Sequence, residues 1–352
     1  MEKGRKPAFS FTLVYLILAA ALVATVIFSA GIGSADIGFI NSLRIMLSKI
    51  PVLKNLIDIS ELPATYSTII FSIRLPRIIA ALLCGTGLSV CGVVFQGMFR
   101  NPMADPYVLG ISSGAVLGAA IAFVTGTQAT LFNLGLVPLY AFIGAIAATT
   151  AVYLIAQKGG RLLTNTLILS GIAIGFLCSS IISLIIIASR EQAHRIIFWT
   201  MGSMTGSSWQ TVAVMLPFIF IGSIILIFNS GNLNILSTGD ETAVSLGLNA
   251  GLMKKLLLVI ASLITAVSVC FCGTIGFVGL IIPHAVRFIT GPDHWKLMPV
   301  SALTGGIFLV LCDTAARTIF APTELPIGVL TSLMGVPFFI SLLIRSKKRS
   351  LA

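Results

Sequence analysis

The chain has 352 residues, of which 57% are hydrophobic and 9% charged, with a mean hydropathy of +1.06. A soluble domain carries about 25% charged residues, so the composition excludes an ordinary soluble enzyme, a disordered chain and a disulfide-stapled secreted scaffold. The formal net charge of +11 has no soluble basic domain to sit on, so it reads as an orientation signal in a membrane protein rather than a nucleic-acid interface.

A membrane span needs about 20 mostly apolar residues. Residues 11–30 form the first. Lys3, Arg5 and Lys6 precede it like a signal-peptide n-region. The apolar run is longer than an h-region of about 7–15 residues and no clear cleavage site stands out, so a retained helix is expected. Residues 31–73 are the longest polar stretch, broken by Pro51 and Pro63, and predict short surface helices. Further spans are predicted at 78–98, 107–126, 135–157, 164–188, 211–229, 255–273, 277–290, 297–318 and 326–344, ten in all. The 277–290 piece is short and carries Pro283, His284 and Arg287; it is expected to pack against protein rather than lipid. With the N-terminus inside, fourteen Lys and Arg fall on inner segments and eight on outer ones, which places both termini in the cytoplasm. The fold expected is all-α: a polytopic membrane bundle over 11–344 in a single domain of 1–352, with a cytoplasmic segment at 231–253.

Small residues recur at four-residue spacing, as Gly85/Ser89, Gly114/Gly118 and Gly171/Gly175, and read as close helix packing within the chain. The six cysteines lie in apolar stretches and read as small buried hydrophobes. Arg100-Asn-Pro-Met-Ala-Asp-Pro106 is a tight polar turn. Asn101 and Asp105 can bond freed backbone groups, and the turn reads equally as a rigid connection or as a constriction of a pathway. In Ser237–Leu248, Asp240 can cap a short helix, Glu241 favours its first turn and Gly247 can end it, with Asn249 capping the next helix. The two short helices offer acidic and apolar faces to a partner. Arg74-Leu-Pro-Arg77 precedes a span, and Arg317 ends one, four residues after Asp313. These arginines either snorkel to lipid phosphates or form a basic rim for an acidic protein or ligand. There is no G-x-x-x-x-G-K-[ST], H-E-x-x-H or G-x-S-x-G, so ATP binding by a P-loop and two hydrolytic chemistries have no motif here.

These motifs, in this order, resemble the FecCD-type permeases, the membrane subunits of ABC importers for iron-siderophores, haem and cobalamin. The resemblance rests on Arg74–Arg77, Gly92–Gln96, Arg100–Pro106, Gly110–Ala115, Gly239–Gly247, Gly273–His284 with Arg287, Asp313 with Arg317, Glu324–Val329 and Gly335–Phe338. Met103 stands where the family often has Leu. The resemblance implies ten helices and a pair of permease subunits, expected as a homodimer, in the cytoplasmic (inner) membrane. It implies two ATPase subunits on the cytoplasmic face and a substrate-binding protein outside. Gly239, Asp240, Glu241, Ala243, Leu246 and Gly247 would then couple to the ATPase. Arg74, Arg77 and Arg317 would meet acidic residues of the binding protein, and Asn101, Pro102 and Met103 would form an inner gate. On this reading the chain is not an enzyme and binds no cofactor or metal; ATP and magnesium belong to the ATPase. The cargo expected is an iron chelate, with a corrinoid as the alternative. An ion-coupled secondary transporter is the rival class, but few ionisable groups lie mid-span.

Overall fold

In lipid every backbone polar group must be satisfied internally, so long apolar runs condense into helices. The computed structural model describes residues 11–350 except 34, 36, 50–57, 60–61, 127–129, 132–133 and 159–160. Lys3, Arg5, Lys6, Pro51 and Lys54 lie outside the described residues. The helices are α1 (Phe11–Gly31), α2 (Phe39–Leu47), α3 (Ala64–Thr68), α4 (Leu75–Phe99), α5 (Ile111–Thr125), α6 (Leu136–Ala156), α7 (Thr164–Ala188), α8 (Arg190–Thr200), α9 (Trp209–Phe228), α10 (Ser230–Thr238), α11 (Asp240–Ser245), α12 (Ala250–Cys272), α13 (Val278–Thr290), α14 (His294–Ala316) and α15 (Ile327–Ser350). The only strands among the described residues are two-residue antiparallel ladders flanking α6.

Among the described residues, seven helical stretches are long and apolar enough to cross a membrane, and three shorter apolar helices accompany them at 111–125, 278–290 and 327–341. Each lies at one of the ten predicted segments. The second begins earlier than expected. Arg74-Leu-Pro-Arg77 does not precede a span but lies inside one helical rod, Ala64–Phe99. Proline lacks an N–H and clashes with the carbonyl four residues back. The chain upstream of Pro76 accommodates it by widening into a π-helix over Ile69–Arg74. The indole nitrogen of Trp209 donates to the Phe71 carbonyl at 2.9 Å within that wide turn.

Helix α4 is the axis of the bundle. Of its most apolar window, 83% is buried, and α9, α12, α13 and α14 pack around it. Glycine permits this. A Cβ on Gly92 would stand 1.8 Å from the carbonyl oxygen of Gly279 in α13, and one on Gly85 2.2 Å from that of Gly305 in α14. The Gly114/Gly118 pair does the same work between α5 and α6, where added Cβ atoms would meet Gly144 and Tyr140 carbonyls. All six cysteines are free and buried.

Gly92→Ala is expected to lower the unfolding temperature in detergent, at a cost of about 1–3 kcal/mol for overpacking. Gly135→Ala, where a Cβ meets nothing within 4 Å among the described residues, is expected to leave it unchanged. Equal behaviour of the two variants would refute the close-approach reading.

Candidate functional site

The two ends of α4, about 37 Å apart for 25 residues, each carry a polar constellation. At the Arg74 end, the Asp313 carboxylate is fully buried. A buried charge must be paired and hydrogen-bonded, and Asp313 is. Arg77 Nη2 lies 2.8 Å from Oδ1, and Arg317 Nε 3.4 Å from Oδ2 one helical turn away. Arg77 Nη1 also donates to both Glu324 oxygens at 2.9 Å. The Thr205 hydroxyl donates to Glu324 Oε2 at 2.8 Å. Burial works to raise the Glu324 carboxyl, but Thr205 and Arg77 outweigh it and hold it below its ordinary value.

The remaining guanidinium donors bind the last turn of α1 and the chain just after it. Arg317 donates to the Ser29 carbonyl at 2.6 Å and the Ile32 carbonyl at 2.9 Å. Arg74 donates to the Ala30 carbonyl at 2.6 Å and to the Ala35 carbonyl. Gly33 crosses both arginines so closely that a Cβ would lie 2.7 Å from Arg74 Nη2. Arg74 and Arg317 are 5% and 8% exposed. The three arginines therefore do not form an open basic rim: two are turned inward onto carbonyls and the third is met by two carboxylates.

At the other end, Arg100 closes α4 in the left-handed conformation, φ 51°. Asn101 Oδ1 accepts from the Met103 amide at 2.9 Å and Asp105 Oδ1 from the Tyr107 amide at 2.8 Å, which is the backbone bonding expected of this turn. Burial pushes the Asp105 carboxyl up to about 6. Beside the turn stand α10 and α11. Gly239, φ 129°, separates them, and Gly247, φ 83°, follows α11. Glu241, Val244 and Leu246 are exposed while Ala243 is buried. Asn249 caps α12 as expected, accepting from the Leu252 amide. Asp240 differs from its expected role. Gly239 occupies the cap, and the Asp240 carboxylate instead pairs with Lys254, a lysine 4% exposed at the start of α12. A Cβ on Gly239 would lie 3.4 Å from Arg100 Nη1, so the Asn101-Pro102-Met103 turn and α11 are neighbours.

Between the two ends, a cavity of about 700 Å³ opens beside Tyr107, Ser112, Thr200, Thr274 and Ser332. Among the described residues no charged side chain lines it. Tyr107 fixes one wall, its hydroxyl donating to the Ile275 carbonyl at 3.0 Å and accepting from the Ile275 amide at 3.1 Å. Among the described residues no group of three or more His, Cys, Asp or Glu could hold a metal ion. Lys254, Glu324 and the Ser29–Ala35 carbonyls had no role assigned from sequence. The contacts of Glu324 and of those carbonyls join residues 39 to 288 positions apart, which leaves no local pattern.

Residues 21–345 match the FecCD transport family. The cobalamin import system permease of Halobacterium salinarum is 45% identical over 82% of this chain and 77% of its own length. The hemin transport system permease of Yersinia pestis is 39% identical over 79% of this chain and 84% of its own. A solved structure in an inward-facing conformation, assigned to the metal-chelate type of ABC transporter, superposes with a TM-score of 0.81 at 31% identity, covering 95% of this chain and 99% of the other.

Asp313→Asn removes the charge that holds Arg77 and Arg317 together, and is expected to destabilise the fold by about 3–5 kcal/mol. Glu324→Gln, at the exposed edge, is expected to cost no more than about 1 kcal/mol. Thermal unfolding of the two variants in detergent checks this; a larger loss for Glu324→Gln would reverse the assignment of the buried anchor.

Proposed function

The chain belongs to the FecCD transport family, and on that premise we propose that it is the membrane-spanning permease of an ATP-driven importer whose cargo is a metal chelate. The family match over residues 21–345 carries the reading. The chain is a multi-pass membrane transport component and not an enzyme. Two copies form the pathway in the cytoplasmic membrane, both termini inside. ATP and magnesium bind to two ATPase subunits below, and a substrate-binding protein delivers the cargo from outside.

The cargo is an iron chelate, siderophore or haem. The 39% identity to a hemin permease supports this, while the 45% identity to a cobalamin permease supports a corrinoid as second reading. The uncharged cavity suits either. A bulky chelate meets hydroxyls and apolar groups along it, with no ion pair to hold it in transit.

Gly239, Asp240, Glu241, Ala243, Leu246 and Gly247 form the element the ATPase moves. Ala243 anchors α11, while Glu241, Val244 and Leu246 face the partner. The Asp240–Lys254 pair passes that movement into α12. The adjacent Asn101, Pro102 and Met103 close the inner end. Movement changes the pathway only if ATP binding favours one arrangement by differential contacts. At the outer end an acidic side chain of the binding protein reaches Arg77 by exchanging with Glu324, and Arg74 and Arg317 hold that site in register.

Uptake of ferric siderophore, haem and cobalamin into proteoliposomes, with the ATPase and binding protein present, tests the reading. ATP-dependent uptake of one of them is expected. Uptake without ATP that is lost when an ion gradient collapses would establish a secondary transporter instead. Asp240→Lys with Glu241→Lys is expected to abolish uptake while leaving membrane insertion intact; undiminished uptake would remove α11 from the coupling role. Arg77→Glu is expected to weaken binding-protein affinity, most strongly at low salt, and an unchanged affinity would remove that residue from docking.

A further inference from the structure

A second cavity, of about 550 Å³, lies at the Arg100 end of α4, bordered on one side by Asn101 and Pro102 of the proposed inner gate. Its walls include Gln96, Arg100, Asn234, Arg287, Asp293 and His294. Two guanidiniums face one carboxylate there. Arg287 donates through Nη2 to Gln96 Oε1 at 3.2 Å, and the Gln96 amide is itself held by the Gly279 and Leu280 carbonyls. Neither Arg287 nor Arg100 makes an ion pair among the described residues. The carboxylate, Asp293, is already engaged: its Oδ1 accepts from Asn234 Nδ2 at 2.9 Å and from the Trp295 amide at 3.1 Å.

His294 completes the set. It is 5% exposed, and its Nε2 is buried without a hydrogen-bond partner. Because Asn234 gives its Nδ2 to a carboxylate, its Oδ1 is the atom facing His294 Nδ1. That oxygen can only accept, so Nδ1 carries the proton and Nε2 presents a lone pair. Nε2 is packed against Gly97, where a Cβ would stand 2.8 Å away, and both residues line the cavity. A buried polar atom without a partner is costly, and a half-buried guanidinium with unused donors calls for an anion.

We propose that this cavity binds a phosphate-type oxyanion, either free phosphate or the headgroup of an anionic lipid. Arg287 and Arg100 offer planar forks that match two phosphate oxygens.

The test uses the full chain, purified into phosphatidylcholine nanodiscs, and needs no transport. Unfolding temperature is followed against inorganic phosphate, with chloride at equal ionic strength as reference. A second arm replaces part of the phosphatidylcholine by phosphatidylglycerol. Stabilisation by phosphate alone, expected by mass action, identifies the free ion, and stabilisation by phosphatidylglycerol identifies the lipid. Arg287→Gln is expected to raise the half-saturating phosphate concentration about tenfold or more. Arg100→Gln, at an exposed position, gives the same readout should the buried variant fail to fold. No stabilisation in either arm overturns the proposal, as does stabilisation that survives both substitutions. Stabilisation that appears only on adding the ATPase, and is lost in the same variants, overturns it in favour of a carboxylate on that partner.

Discussion

Helix α4 can stand at the centre of the bundle only because glycine occurs where other backbones cross it. The Gly92–Gly279 and Gly85–Gly305 approaches leave no room for a methyl group. In lipid, helix association rests on such close packing, since apolar surface is satisfied equally well by acyl chains. The same closeness makes α4 a rigid connection between its ends. Arg74 and Arg77 sit on one and the Arg100 turn on the other, so the two polar constellations share a single scaffold.

The two constellations differ in completeness. Around Asp313, every buried charge has an opposite charge or a carbonyl within reach. A low-dielectric interior demands this, because an orphaned ion there costs more than the pair contributes. The end of α1 and the chain following it belong to this arrangement, since their carbonyls absorb the donors that Asp313 and Glu324 leave over. At the Arg100 end the balance is open. Arg287 rests on an amide oxygen and His294 keeps an unmet nitrogen.

Much of the fold was legible because hydropathy over about 20 residues is a strong signal. All ten apolar segments are helical, and the small-residue pairs are intramolecular contacts. The short helices around Gly239, the Asn249 cap and the Asp313–Arg317 spacing were legible too, since capping and i,i+4 pairing are local. What was not legible is long-range. Nothing near Arg77 in sequence names Asp313 and Glu324 as its partners, and nothing near Arg74 shows its donors turned onto the carbonyls of residues 30 and 35. Asp240 shows the limit at short range: both a cap and an ion pair were chemically available, and the buried Lys254 decided between them.

The wide turn at Ile69–Arg74 has a consequence for phase. One extra residue in a helical turn rotates everything beyond it by about 100° without appreciably lengthening the rod. Ala64 and Thr65 are exposed on the same rod whose later turns are almost wholly buried. Arg74 and Arg77 interrupt the apolar run at the end of the wide turn and just beyond it, which is why a continuous helix reads in the sequence as a polar stretch followed by a span. The turn works as a rotary offset, letting one rod present different faces to its surroundings above and below Pro76.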